Sequence, residues 1–435
     1  MNSFNLNRHI IFSKSTLLLL IIPVILLCAG CSTSRSYVST KWNLSSIYNP
    51  ASSRIHPALK VFHNTEHTSM LYIKLFPMEL LFSQMGVDAE QTSKISFHIE
   101  LYEIDGDMNQ LVDSNTIEYT IKKQSIDKRF IAQIPLATET GKTYYLKVIT
   151  RDLLRKSFNV SFINVDKRNE YSQQNFNFIN VDAIPLFTPV LNSESFFRLQ
   201  HRNPNVSKLF ISYYADKSDL PKPTFASSSS GFLYNRPDST WEVDFKRNLV
   251  LKFTVPGIYH FRIDTNQKEG LTLFNFGEDF PKVKTSELLI DALAYITTSA
   301  EYAELKNGEN AKLSADNYWL KIGGDTDRAR EMIRIYYNRV YFANYYFTAD
   351  KPGWKTDRGM VYIVYGPPHN LKKETNKETW LYYRKGSSSS ILFNFKYDPN
   401  TFSLNSFTLE RSENHDWHWR EAVDAWRAGK IYLLD

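Results

Sequence analysis

The chain has 435 residues, 43% of them hydrophobic and 23% charged, which suffices for about three domains with buried cores. A formal charge of +6 over this length is not a nucleic-acid footprint, and no nucleic-acid partner is expected. Aromatic residues reach 14%, including 29 Phe and 26 Tyr, which favours sheets with wide, half-buried faces.

Met1 to Thr16 carries Arg8 and Lys14 and no acid, and Leu17 to Leu27 is an apolar run crossed only by Pro23. That run is too short for a hydrocarbon core, which needs about 20 residues, so residues 1–30 read as a secretory signal. The run ends Leu27-Cys28-Ala29-Gly30-Cys31, which resembles a bacterial lipobox cut before a lipid-bearing Cys31; Cys28 stands where that pattern usually has Leu. A plain cleaved signal is the alternative. On the lipoprotein reading several acyl chains on Cys31 give firm attachment to a membrane. Cys28 leaves with the signal, so no internal disulfide and no free thiol nucleophile remain.

Residues 31–57 are polar, rich in Ser, Thr and Asn, and read as the lipidated Cys and a tether. From Ala58 short alternating runs begin: Ile95, Phe97, Ile99 and Leu101 on one face, then Tyr144, Leu146 and Val148, then Phe158, Val160 and Phe162. Period two with frequent turns predicts an immunoglobulin-like β-sandwich over 58–170. A second β-rich block, 171–282, includes Phe196 to Leu199, Leu209 to Tyr214, Trp241 to Phe245 and Leu249 to Phe253. The segments starting at Gly141 and Gly257 look alike at an offset of 116 residues, which suggests two sandwiches in tandem.

Residues 283–435 change period. Leu288, Leu289, Ala292 and Ile296 sit at helical spacing behind Ser286-Glu287, and a longer helix capped by Asp325 or Asp327 runs through Ile333, Tyr336, Tyr337, Val340, Ala343 and Phe347. Four strands are then predicted: Met360 to Tyr365, Thr379 to Tyr383, Ile391 to Tyr397 and Phe402 to Leu409. A helix from Trp419 to Ala428, with Asp416 as N-cap and Gly429 as stop, ends an α+β unit. The whole is multidomain and mostly β.

The sequence contains no Walker loop, no dinucleotide glycine fingerprint and no G-x-S-x-G elbow. His63-Asn64-Thr65-Glu66-His67 matches an inverted zinc-peptidase string, but that chemistry needs a helix, and here the string reads as a turn between two strands. His415, Asp416 and His418 form an incomplete ligand set, better read as a helix start. Gly386 to Ser390 and Ser227 to Ser230 read as loops. No metal and no cofactor are expected.

The densest special stretch is Asp350-Lys351-Pro352-Gly353-Trp354-Lys355-Thr356-Asp357-Arg358-Gly359, followed after one predicted strand by Gly366-Pro367-Pro368. With Tyr336-Tyr337, Arg339-Val340, Ala343-Asn344, Tyr362-Ile363 and Thr379-Trp380 in order, this segment resembles the GWxTD-domain family of bacterial, Bacteroidetes-type envelope lipoproteins, from about Ser286 to the C-terminus. His369 stands where that family usually has an acid. The resemblance implies an envelope lipoprotein with N-terminal β domains and no established activity. Lipoproteins of that kind exported to the cell surface usually carry acids after the lipidated Cys. Ser32 to Tyr37 has none, which favours the periplasmic side of the outer membrane.

For the loop itself, one reading has Trp354 plugging a gap between helix and sheet, Thr356 and Asp357 bonding backbone amides, and Arg339 or Arg358 pairing with Asp357. The other makes Asp357 a base and Thr356 a nucleophile, although no His lies beside it to serve. The functional expectation is a lipid-anchored, non-catalytic scaffold or adaptor with protein partners in an envelope assembly. The alternatives are a glycan binder using Tyr and Trp platforms, and an envelope hydrolase using Asp357 with Glu378 or Asp325.

Overall fold

Alternation of buried and exposed residues builds the first two blocks. The computed structural model describes residues 43–432, apart from 85–89, 106–107, 124–128, 192–195, 228–233, 235, 246–248, 375 and 384–389. The signal segment and Cys31 therefore lie outside the described residues, as does most of each Ser-rich run, 227–230 and 386–390.

The first block comprises β1 (Ala58–His63), β2 (Thr68–Leu75), β3 (Thr92–Asp105), β4 (Met108–Lys122), β5 (Phe130–Ala137), β6 (Thr143–Asp152) and β7 (Ser157–Asp166). They form two antiparallel sheets, ordered β1-β2-β5 and β4-β3-β6-β7. Leu71, Ile73 and Leu75 of one sheet and Ile95, Phe97, Ile99 and Leu101 of the other enter one shared core. Every second residue is spent on that core, and this pins the register, because a one-residue slip would turn all of these side chains outward.

The second block comprises β8 (Phe176–Asn180), β9 (Phe197–His201), β10 (Lys208–Tyr214), β11 (Ser239–Asp244), β12 (Val250–Leu251), β13 (Gly257–Arg262) and β14 (Leu271–Asn275). Its sheets are ordered β12-β9-β8 and β11-β10-β13-β14. This repeats the first block strand for strand: first, second and fifth in one sheet, and fourth, third, sixth and seventh in the other. Gly141 and Gly257, the two look-alike positions, each stand at the entry to the sixth strand with φ of +90° and +148°. At Gly257 a Cβ would also lie 2.5 Å from the Tyr214 carbonyl oxygen, so a larger residue is barred twice over.

The remaining unit opens with helices α1 (Ser286–Ala292), α2 (Ser299–Asn307), α3 (Ala311–Gly323), α4 (Thr326–Phe347) and α5 (Asp357–Tyr365). Antiparallel strands β15 (Asn370–Lys373), β16 (Lys377–Tyr383), β17 (Ser390–Tyr397) and β18 (Phe407–Leu409) follow in chain order as a meander, and α6 (His415–Arg427) closes it. Met332, Tyr336, Val340, Ala343 and Phe347 of α4 share a core with Trp380, Phe393 and Phe395 of the sheet. Asp325 caps α4, accepting from the Asp327 and Arg328 amides.

Several expectations are corrected here. Met360 to Tyr365 is the body of α5, not a strand: every residue from Arg358 to Tyr365 is buried, and a short run covered on all sides has no period to tell helix from strand. The fourth strand of the sheet is instead β15, and Phe402 to Leu409 is a strand only over its last three residues. Helix α1 is capped by Thr285, and α6 begins at His415; Asp416 does not cap it but pairs with Arg420 at 2.8 Å. Helices α2 and α3 had no counterpart in the sequence reading.

The polar segment 31–57 is not all tether. Ser45–Tyr48 forms a short 3-10 turn; the Leu44 amide donates to the Leu371 oxygen at 2.9 Å, and the Tyr48 ring sits 4.8 Å from Phe347 and 5.5 Å from Trp380. Buried Leu44 and Tyr48 anchor it to the core of the last unit, and Ile55 enters the core of the first block. Among the described residues no helix is long and apolar enough to cross a membrane.

Candidate functional site

Helix α4 ends at Phe347, and the chain must reverse to enter α5. Gly353–Lys355 make one 3-10 turn pressed against α4. A Cβ on Gly353 would lie 2.1 Å from the Ala343 carbonyl oxygen, and one on Gly359 would lie 1.9 Å from the Gly353 oxygen, so both positions accept only glycine. Asn344, on the last turn of α4, accepts from the Trp354 amide at 3.0 Å and donates to the Pro281 oxygen at 2.9 Å. Trp354 is buried, its carbonyl accepting from the Tyr295 hydroxyl at 2.7 Å.

Thr356 is the N-cap of α5: its hydroxyl accepts from the Gly359 amide at 3.0 Å and donates to the Gly353 oxygen at 2.7 Å. The Asp357 carboxylate accepts from the Leu409 amide at 2.7 Å and from both terminal nitrogens of Arg411, at 3.0 and 2.6 Å. This bidentate pair is nearly covered, with side-chain exposures of 4% for Arg411 and 10% for Asp357. The expected partners, Arg339 and Arg358, do not pair with Asp357; Arg411 does. Its place one strand-end away in the sheet left no spacing signal in the sequence.

Residues 257–428 match the GWxTD domain family model. The chain carries a GWxTD domain. The match begins at the sixth strand of the second β block and covers the whole loop. No curated protein matches the chain. Among solved structures, a glycosyl hydrolase family 2 member from Bacteroides cellulosilyticus is similar at 9% identity and TM-score 0.19, covering 31% of this chain and 17% of that one. A Bacteroides uniformis beta-glucuronidase is similar at 13% identity and TM-score 0.17, covering 28% and 14%.

In the GWxTD domain Arg358 turns inward, away from Asp357. It is 1% exposed, bonds Glu378 at 3.1 Å and the Asn405 carbonyl and side-chain oxygens at 2.8 and 2.6 Å, and lies over the Phe407 ring at 4.3 Å. Glu378 also accepts from the Tyr48 hydroxyl at 2.9 Å, the Trp380 indole at 3.2 Å and the Lys373 ammonium at 2.9 Å. Burial alone would raise the Glu378 carboxyl, but Lys373 and Arg358 outweigh it and hold it at about 2. It is a fixed anion, not a proton shuttle.

Arg339 instead ties down the far end of α5, donating to the Ile363, Val364 and Tyr432 oxygens at 3.0 to 3.1 Å. Gly366, with φ of +85°, passes beside it: a Cβ there would come within 2.9 Å of the guanidinium. Pro367 and Pro368 follow and prevent helix continuation. The two acids considered as partners of Asp357 are thus engaged elsewhere, Glu378 in this network and Asp325 as a cap.

The loop also grips the second β block. Lys355 donates to the Ser218 oxygen at 3.0 Å, and Arg411, while holding Asp357, donates to the Lys222 and Pro223 oxygens at 3.0 and 3.2 Å. The first histidine string runs from the end of β1 through the turn to β2, and the second is the first turn of α6. His63 is buried between Ser69 and the Asp166 oxygen, whereas His67 is exposed beside Glu139. Both ring nitrogens of His415 meet carbonyl oxygens, of Thr224 and Leu392.

Proposed function

We propose that the chain is a lipid-anchored envelope protein, held through Cys31 to the periplasmic face of the outer membrane, and that it serves as a non-catalytic scaffold or adaptor for protein partners. The two β blocks act, on this reading, as tandem immunoglobulin-like modules beside a GWxTD domain that Leu44 and Tyr48 tie close to the lipidated end of the chain. The motif side chains support a structural role: Thr356 gives its proton to a peptide oxygen and Asp357 is locked by Arg411, so neither is poised on a substrate.

The observation that carries the adaptor reading is β4. It is a 15-residue strand that, among the described residues, pairs on one side only, with β3, and it exposes Leu111 and Val112, at 50% and 42%. A long free edge bearing apolar residues is a template for strand addition by a partner. Co-purification from detergent-solubilised envelopes tests this. A partner that is recovered with the native chain and lost with Val112→Lys supports the adaptor; recovery of the protein alone under mild extraction contradicts it.

A further inference from the structure

A second feature lies where the three units meet. Lys60 on β1 and Lys74 on β2 stand on the sheet face turned away from the first block's core, in register positions paired with Tyr72 and Ala58. That face borders a cleft of about 700 Å³, a size suited to a small ligand, shared with the second block, α4 and the segment after β17. Its walls are apolar, with Phe187 and Phe280 from one side and Tyr345 and Leu404, at 49% and 61% exposure, at the open mouth.

The charges in it are unbalanced. Among the described residues that line the cleft, none is a carboxylate. His56 is answered by Glu79 at 3.1 Å, but among the described residues no acid pairs with either lysine. Among the described residues the Lys60 ammonium donates to the Leu186 oxygen at 3.0 Å, one bond for three donors, and Lys74 meets only ring faces, Phe187 at 4.8 Å and Phe76 at 5.6 Å. Burial lowers Lys60 to about 7; burial and then Arg129 lower Lys74. Two cations facing one covered space without a counter-ion are costly to keep, and an incoming anion removes the cost.

We infer that this cleft binds an amphipathic organic anion, its carboxylate or phosphate head held by Lys60 and Lys74 and its apolar body laid against Phe76, Phe187 and Tyr345. The site is independent of the adaptor reading, since neither lysine nor any of these rings belongs to β4. Calorimetric titration of the full-length chain in nonionic detergent tests it, with 2-naphthoate as the aromatic probe, hexanoate as the acyl probe, and 2-naphthamide and inorganic phosphate as controls. One of the two carboxylates should bind at least about tenfold more tightly than both controls, and which one does so tells an aromatic from an acyl ligand. Lys60→Met and Lys74→Met should each weaken that binding by about tenfold or more, whereas Lys94→Met, on the exposed side of β3, should not. Because Lys60→Met removes an unpaired charge, its unliganded thermal midpoint should not fall below that of the native chain. Equal binding of naphthoate and naphthamide, phosphate binding as tight as either carboxylate, or full binding by folded Lys60→Met and Lys74→Met chains would each overturn the inference.

Discussion

Gly353 and Gly359 have little freedom to change. Each lies against a peptide oxygen at a distance no Cβ can occupy, so Gly353→Ala or Gly359→Ala must push α5 off α4. Overpacking of this kind costs about 1–3 kcal/mol or more, measurable as a lowered denaturation midpoint with unchanged m-value. Glu378 is the second sensitive residue. Its carboxyl ordinarily titrates at 4.5 and is held at about 2 in the fold, so the stability it supplies is complete above about pH 4.5 and is lost as pH falls toward 2. By linkage that amounts to about 3 kcal/mol. Unfolding free energies measured between pH 6 and 2 should show this loss in the native chain and lack it in Glu378→Gln. That variant should also be less stable at pH 7, because it leaves Arg358 and Lys373 without their anion.

At the scale of elements, α5 depends on its cap. Thr356→Ala removes the acceptor for the Gly359 amide and should cost about 1 kcal/mol, which Thr356→Ser should largely restore. Unchanged stability in Thr356→Ala would contradict the capping role. Much of the element order was legible in the sequence. The alternation on β3, β6 and β10 and the stripe on α4 name their own buried faces. Helix α5 was not legible, because it is buried all round and its Met-Val-Tyr-Ile-Val-Tyr run is as good a strand as a helix. The loop glycines, Trp354, Thr356 and Asp357 could be singled out from the sequence, but the identity of the Asp357 partner could not. Arg411 lies two residues past β18, 54 residues on, and only the meander of the sheet brings it back.

At the scale of the whole molecule, the GWxTD domain draws on two stretches of chain that precede it. Tyr48 reaches its core from before the first β block and hands its hydroxyl to Glu378 across 330 residues of sequence. Tyr48→Ala should therefore destabilise the GWxTD domain by about 3–5 kcal/mol, while β1 to β7, whose buried core is their own and which touch the GWxTD core through Phe162 of β7, keep most of their hydrogen-exchange protection. At the second of these Arg411 joins Asp357, β18 and the Lys222-Pro223 backbone of the second block in one cluster, so the motif works as the joint between units.

The most direct test of that joint is a double-mutant cycle in denaturant on the native chain, Asp357→Asn, Arg411→Met and the pair together. Each single change should lower the unfolding free energy by about 3 kcal/mol, and the double variant should lose little more than either, because the two side chains form one buried ion pair. An Asp357→Asn chain as stable as the native protein, or more stable, would contradict the account and mark Asp357 as a residue kept for chemistry.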